Sequence, residues 1–341
     1  MKSIRLGKTE LNISELGFGG IPIIPLGFDE SVSIVNHCFE QGITFFDTAN
    51  MYGDSEKKIG SALEKVRDKV IYATKTLTRD AQNANKHIAY SLDNLKTNTI
   101  DIYQFHNISK ESDLEQILGP SGAYEAVNAA KKEGKIKFIG FSSHDIPTAI
   151  KACETGLFTT IQFPFNFIEN QPADNLFKIA KDLDMGIIAM KPLGGGLLER
   201  ADLCFKFLQQ YPEIIPIPGI QSIEEVDEII DLYRNRQPLS KTDQKEIETI
   251  QNELGKHFCH RCGYCVPCDE GVKIPEVMSF RSMAKRMDLP IALAIAGPNM
   301  ESVDNCTECG DCLDKCPYSL QIPELIREHQ AYFKSMTEKN G

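Results

Sequence analysis

The sequence lacks a long apolar run, a basic stripe and a leader-like opening. Its longest apolar stretch near the end, residues 289–296, is too short to cross a bilayer. The opening MKSIRLGKTELNISELGFGG has no continuous apolar segment leading to a small-residue cleavage site, so it does not read as a secretory signal. Formal charge is −11, and an acidic chain without a basic face disfavours nucleic acid and anionic lipid as partners. No GxGxxG follows the first apolar segment, since Gly17-Phe-Gly-Gly20 does not fit; this weakens an open dinucleotide-binding sheet. These absences imply a cytoplasmic protein that binds neither membrane nor nucleic acid.

What is present is globular in composition, with 42% hydrophobic and 25% charged residues. The 341 residues suffice for one large domain and one small one. Up to about residue 235, short apolar runs alternate with longer amphipathic ones. Strands are expected at 13–17, 44–48, 70–75, 100–106, 137–142, 160–164, 186–191 and 214–218. Helices are expected at 29–41, 55–66, 83–95, 124–132, 147–155, 173–183, 201–210 and 223–233. The strand segments are nearly continuous in apolar residues, which suits a parallel sheet buried on both faces. Repeated βα units imply an α/β fold with right-handed crossovers. Eight strands allow a closed (β/α)8 TIM barrel, with an open doubly wound sheet as the competitor. The polar segment 240–255 reads as a linker helix, or equally as a last barrel helix. The expected domains are a barrel over 1–238, a linker over 239–256 and a second module over 257–341.

Eleven cysteines are present, eight of them beyond residue 258. Tight spacing in a cytosolic chain points to metal ligands rather than disulfides. The eight form an internal repeat. Cys259, Cys262, Cys265 and Cys268 precede Ile274-Pro-Glu276; Cys306, Cys309, Cys312 and Cys316 precede Ile322-Pro-Glu324. Each Ile-Pro-Glu suits the first turn of a helix. A CxxCxxC loop wraps one side of an iron–sulfur cubane and a distant cysteine closes the other. Two zinc knuckles only two residues apart would be cramped, although zinc, or one cluster with spare cysteines, stays open. The second copy is the full bacterial run, with Pro317 after its fourth cysteine. The first copy has two residues before Cys268 and its proline, Pro267, ahead of it. Cys38, Cys153 and Cys204 fall in expected helices and read as packing residues.

This region resembles the two-cluster bacterial ferredoxins. The resemblance implies a small, mainly helical, ferredoxin-like domain with two [4Fe–4S] clusters, each borrowing the other run's fourth cysteine. One cluster would take Cys259, Cys262, Cys265 and Cys316, and the other Cys306, Cys309, Cys312 and Cys268.

Four polar residues stand where a barrel enzyme works, at the carboxyl ends of the strands. Asp47, Lys75 and His106 end the second, third and fourth expected strands, and Tyr52 lies in the loop after the second. Neighbouring strands are about 4.8 Å apart, so these side chains can converge. A tyrosine hydroxyl is a poor acid at neutral pH, but an adjacent ammonium stabilises its phenolate. An aspartate would hold that ammonium, and a histidine could bind the carbonyl oxygen or pass the proton.

The stretch Asp47-Thr-Ala-Asn-Met-Tyr52-Gly-Asp-Ser-Glu56, with Tyr72-Ala-Thr-Lys75 and Asp101-Ile-Tyr-Gln-Phe-His106, resembles the aldo-keto reductase family. The resemblance continues through Gly140-Phe-Ser-Ser143, Gln162, Lys191-Pro-Leu-Gly-Gly195 and Ile217-Pro-Gly219, spanning roughly residues 3–235. It implies NAD(P)-dependent reduction of a carbonyl, or oxidation of an alcohol, with Asp47, Tyr52, Lys75 and His106 as the catalytic set. Cofactor contacts would fall on Ser142, Ser143 and Gln162 for the carboxamide. Lys191, Pro192, Leu193 and Gly194, with Gly219, Gln221 and Ser222, would take the pyrophosphate and adenosine. Met190 stands where the family has an aromatic that stacks on the nicotinamide; Gln221 stands where a basic residue often binds the 2′-phosphate, which makes NADH a reasonable cofactor beside NADPH.

A nicotinamide delivers two electrons together and a cubane takes one, so a flavin is a further candidate cofactor. Three functions remain in view. The clusters could relay electrons between the barrel site and an external electron carrier. They could brace a plain carbonyl reductase, or the chain could be a redox-sensing cofactor-binding protein.

Overall fold

The computed structural model describes every residue except 261–262, 286–287, 317 and 340–341, so Cys262 and Pro317 lie outside the described residues. It divides into two compact units. The first comprises Met1–Gly194 and Arg200–Leu239, and the second Gly195–Glu199 and Ser240–Gly341.

The first unit opens with an antiparallel hairpin, β1 (Ser3–Arg5) against β2 (Asn12–Ser14), in which Ile4 pairs with Ile13. Eight parallel strands follow: β3 (Phe18–Gly19), β4 (Phe45–Asp47), β5 (Ile71–Thr76), β6 (Ile100–Phe105), β7 (Ile136–Ser142), β8 (Thr160–Pro164), β9 (Gly186–Met190) and β10 (Ile214–Ile217). Each pairs with its neighbour in chain order. A bridge between Gly19 and Gly219 joins the first to the last, and the Gly17 amide donates to the Pro216 carbonyl at 2.9 Å. The sheet is therefore a nearly closed barrel, as the strand count anticipates.

The expected first strand at 13–17 is displaced. Residues 12–14 pair locally with the chain's opening, and the barrel position goes to β3. Glycine explains the shift: a Cβ at Gly19 would sit 2.9 Å from the Ile217 carbonyl oxygen, so only glycine lets the first strand approach the last.

Alternation along the strands decides what lies inside. Phe45, Ala73, Ile102, Ile188 and Ile215 share an interior cluster with Leu6 and Ile13 of the hairpin region. Outward residues such as Phe46, Tyr72, Tyr103, Phe105 and Phe141 join the larger core beneath the helices. Those helices are α1 (Phe28–Glu40), α2 (Ser55–Leu63), α3 (Ala81–Asn94), α4 (Glu111–Leu118), α5 (Ala123–Lys132), α6 (Ile146–Glu154), α7 (Leu176–Asp182), α8 (Ala201–Leu208) and α9 (Ile223–Arg234). Local chemistry starts several of them: Asp80, Asp145 and Ser222 each accept a backbone N–H three residues on. Helix α4 is absent from the sequence reading, because ESDLEQIL is a short polar segment that buries only Leu114 and Ile117.

The second unit is helical. Helix α10 (Lys241–Leu254) begins with a reciprocal capping box between Ser240 and Asp243. It is followed by α11 (Ile274–Met278), α12 (Phe280–Ala284), α13 (Leu289–Glu301), α14 (Asp311–Asp314) and α15 (Ile322–Glu338). Both Ile-Pro-Glu segments open helices with proline in the first turn, as expected. The unit has its own core around Val277, Phe280, Ala292, Met300, Leu325 and Ile326. Among the described residues, no helix is long and apolar enough to cross a membrane.

Leu6, 1% exposed, fits against the amino end of β9, where a Cβ on Gly186 would meet its side chain at 2.6 Å. Leu6→Ala is expected to cost about 2–5 kcal/mol, read from denaturant unfolding followed by circular dichroism. A loss under about 0.5 kcal/mol would mean that the hairpin does not brace the barrel.

Candidate active site and metal centre

Inward alternation carries polar residues to the carboxyl ends of adjacent strands. Asp47 follows Phe45 by two, Lys75 follows Ala73, and Gln104 follows Ile102. His106 comes next on the β6 side, with its amide donating to the Thr76 carbonyl at 2.8 Å. Asp47 and Lys75 are 3% and 1% exposed. Lys75 Nζ donates to Asp47 Oδ1 at 2.5 Å and to the Thr48 carbonyl at 2.7 Å. Gln104 Nε2 donates to Asp47 Oδ2 at 3.1 Å and Gln162 Nε2 to Oδ1 at 3.4 Å. Three donor contacts thus converge on one carboxylate and fix its plane. Burial pushes the Asp47 carboxyl up and the Lys75 ammonium down, against their mutual attraction. Neither charge could stay buried alone at low cost.

Tyr52 stands over this pair, its ring centroid 5.4 Å from Lys75 Nζ. Its hydroxyl is 3.4 Å from His106 Nε2, and the two rings meet edge to face. Burial, with Lys75 and Arg79 nearby, lowers the His106 imidazole to about 3. It is therefore neutral at physiological pH. Arg79 donates to the carbonyls of His106 and Asn107 at 3.0 and 2.9 Å, pinning the turn that carries the imidazole. The structure thus brings Asp47, Tyr52, Lys75 and His106 together.

The positions expected to hold a nucleotide cofactor lie around the same end. Ser142 and Gln162 are partners in register on β7 and β8. Ser142 Oγ accepts the Asn107 amide at 2.9 Å, and Ser143 Oγ donates to the Asp145 carbonyl at 3.1 Å. Gln162 is 2% exposed and its Oε1 is buried without a hydrogen-bond partner. Lys191 follows β9 in a left-handed conformation, φ 55°, and its ammonium reaches His144 Nε2 at 2.8 Å. Pro192 and Leu193 lead to Gly194, whose amide donates to the Lys191 carbonyl at 2.9 Å. Gly219 packs so tightly that a Cβ would lie 2.5 Å from Pro22 Cγ. The Gln221 amide donates to Glu225 Oε2 at 2.8 Å, and Ser222 caps α9.

Sequence reasoning missed Gln104 and His144. Gln104 carried a signal, being a buried-strand amide two places before His106, on the same face of the strand. His144 carried none, because its partners Asn107 and Lys191 are distant in the chain.

In the second unit the cysteines line two cavities. One is walled by Cys268 together with Cys306, Cys309 and Cys312. The other is walled by Cys259 and Cys316, beside His260 and Tyr318. Cys265 lines both. The fourth cysteine of each run faces three, or the described two, of the opposite run. Among the described residues, no three ligand-type side chains gather closely enough for a single metal ion. Thiols spread around a hollow suit a bulky cubane better than zinc. His260 stacks on Tyr318 with centroids 3.6 Å apart. Cys38, Cys153 and Cys204 are buried in the first unit, and burial pushes the Cys153 thiol up to about 12.

A closed parallel barrel with titratable groups gathered at its carboxyl end is an enzyme architecture. The aldo/keto reductase family model matches residues 15–204, more than half of the chain, and the chain belongs to that family. A 4Fe-4S dicluster domain model matches residues 258–320. The chain is 30% identical over 207 residues to aldo-keto reductase str7 of Strobilurus tenacellus, covering 54% of this chain and 60% of that protein. It is 31% identical over 212 residues to L-galactose dehydrogenase of Arabidopsis thaliana, covering 57% and 66%. An aldo-keto reductase from Klebsiella pneumoniae, solved in complex with NADPH, has a TM-score of 0.63 at 20% identity, covering 73% of this chain and 95% of that one. At that identity the likeness speaks for the fold.

The depressed His106 pKa has a measurable sign. A histidine that resists protonation when folded lets the unfolded chain bind more protons between its ordinary value and about 3. Its contribution to stability is full above about pH 6.5 and falls as pH drops through that window. Histidine NMR is expected to show His106 neutral down to at least pH 5. A midpoint near 6.5 would overturn the buried, neutral assignment.

Proposed function

We propose that the protein is an NAD(P)-dependent oxidoreductase acting on a small carbonyl or alcohol at Asp47, Tyr52, Lys75 and His106. We further propose that two [4Fe–4S] clusters in the C-terminal module exchange electrons with an external carrier. The observation that carries the first part is the convergence of Tyr52 and His106 on the buried Lys75–Asp47 pair.

In this reading Asp47 keeps Lys75 charged and oriented, and the ammonium favours the Tyr52 phenolate. Tyr52 delivers its proton to the carbonyl oxygen during reduction and takes it back during alcohol oxidation. Neutral His106 offers a hydrogen bond to the same oxygen without adding a competing charge. The orphaned Gln162 Oε1 suits an amide N–H, so Gln162, Ser142 and Ser143 would hold a carboxamide. Residues 191–194 and 219–222 would line the pyrophosphate and adenosine. Glu225 accepts from the Gln221 amide, and in this reading its carboxylate would repel a 2′-phosphate bound beside Gln221 and so favour NADH. A bound nicotinamide would supply hydride and a cubane single electrons, so a flavin is the chemistry that would reconcile the two counts.

The cysteine-lined cavities support the cluster assignment. One cluster would be held by Cys268, Cys306, Cys309 and Cys312, the other by Cys259, Cys265, Cys316 and Cys262, which lies outside the described residues. Free thiols at this density suit a reducing compartment, in keeping with a cytoplasmic location.

Tyr52→Phe is expected to lower turnover with an aldehyde panel about 10²–10⁴-fold while leaving the NADH dissociation constant nearly unchanged. Retained turnover removes Tyr52 from the mechanism. Anaerobically purified protein should carry about eight irons with two interacting EPR signals after dithionite reduction. Zinc in place of iron would reduce the module to a brace.

A further inference from the structure

The two cysteine runs are nearly symmetric in sequence, but their surroundings are not. The cavity of Cys259 and Cys316 is walled by apolar side chains, among them buried Ile274, Met278, Leu320 and Ile322. Its His260 is 8% exposed. The cavity of Cys268, Cys306, Cys309 and Cys312 opens to solvent at Cys309, the one exposed cysteine among those described. Its rim carries Asp269, Glu270, Glu308 and Asp311 against Lys315, all exposed. Glu308 bonds Arg327 at 2.6 Å, so Asp269, Glu270 and Asp311 carry most of the excess negative charge.

We propose that the Cys268, Cys306, Cys309, Cys312 cavity is the terminus at which single electrons enter or leave, and that its carboxylate rim selects a carrier protein with a basic docking face. This rests on the two-cluster reading above. An electron crossing between proteins needs a close, exposed donor edge, and Cys309 offers one. Surface charge around that edge steers the encounter and chooses its sign. In the outward step the reduced cluster loses one electron and the oxidised carrier gains it. No bond forms or breaks and no proton moves. The described lining of the companion cavity holds no exposed residue.

The test uses the full, cluster-loaded chain, with iron content measured first. A chain lacking two cubanes fails the underlying reading before any kinetics. Dithionite-reduced protein, freed of reductant, is mixed with either hexaamminecobalt(III), a trication, or tris(oxalato)cobalt(III), a trianion, each taking one electron. At low salt the cation should oxidise the protein at least about tenfold faster than the anion, and about 0.5 M salt should remove most of that advantage. The triple variant Asp269→Asn, Glu270→Gln, Asp311→Asn should lose most of the advantage. The control Glu40→Gln, Glu115→Gln, Glu154→Gln, which makes the same change in net charge on exposed residues of the first unit, should keep it. In freeze-quenched EPR, the cluster that reoxidises first should be the one whose signal Cys309→Ser alters. Equal loss in both triple variants would assign the preference to overall charge and overturn the docking rim. A first-reoxidised signal indifferent to Cys309→Ser would place the terminus at the other cluster.

Discussion

A carboxylate and an ammonium buried together at the mouth of a closed barrel impose the tightest constraint on this protein. Either charge alone would cost several kcal/mol in that setting. Together they require Asp47 and Lys75 on adjacent strands at a fixed register, with both oxygens of the carboxylate addressed. Gln104 and Gln162 supply those donors from two further strands, so four of the eight strands are tied to one side chain. The placement of Tyr52 above Lys75, and of a neutral His106 beside Tyr52, follows from that anchor. What the barrel contributes is a low-dielectric interior in which these few contacts act at full strength.

The C-terminal unit works on a different principle. Its helices run from 4 to 17 residues, and its apolar core is built around the walls of the two cysteine cavities: Cys265 belongs to the core itself, and Cys259, Cys268, Cys306, Cys312 and Cys316 pack against it. A module of this size gains stability from bound metal as well as from burial. Its two halves share a motif but differ in burial, so near-identical cysteine sets meet different solvent and different charge. Exposure and surrounding charge are among the quantities that set a cluster's potential.

Much of this was legible in the chain. Strand count, the inward polar residue at each strand end and the cysteine repeat follow from periodicity and spacing, which are local properties. Asp47, Lys75 and His106 stood out because a charged or titratable group ending an apolar run is conspicuous. Gln104 was written in the same code, yet a neutral amide in a strand reads as filler. The first barrel strand was misplaced because alternation at Ile13 suits a hairpin as well as a barrel, and only the partner strand distinguishes them.

The sequence by itself determined the α/β architecture, the catalytic-type residues and the duplicated cysteine module, because each rests on residue type and spacing along one segment. Only the tertiary structure decided barrel closure, through the contact of Gly19 with Gly219. It alone paired His144 with Lys191 and oriented both glutamines on Asp47. It alone left Cys309 in solvent. Those facts depend on which distant segments share a wall, and burial, which sets the strength of every charge interaction here, belongs to the assembled fold.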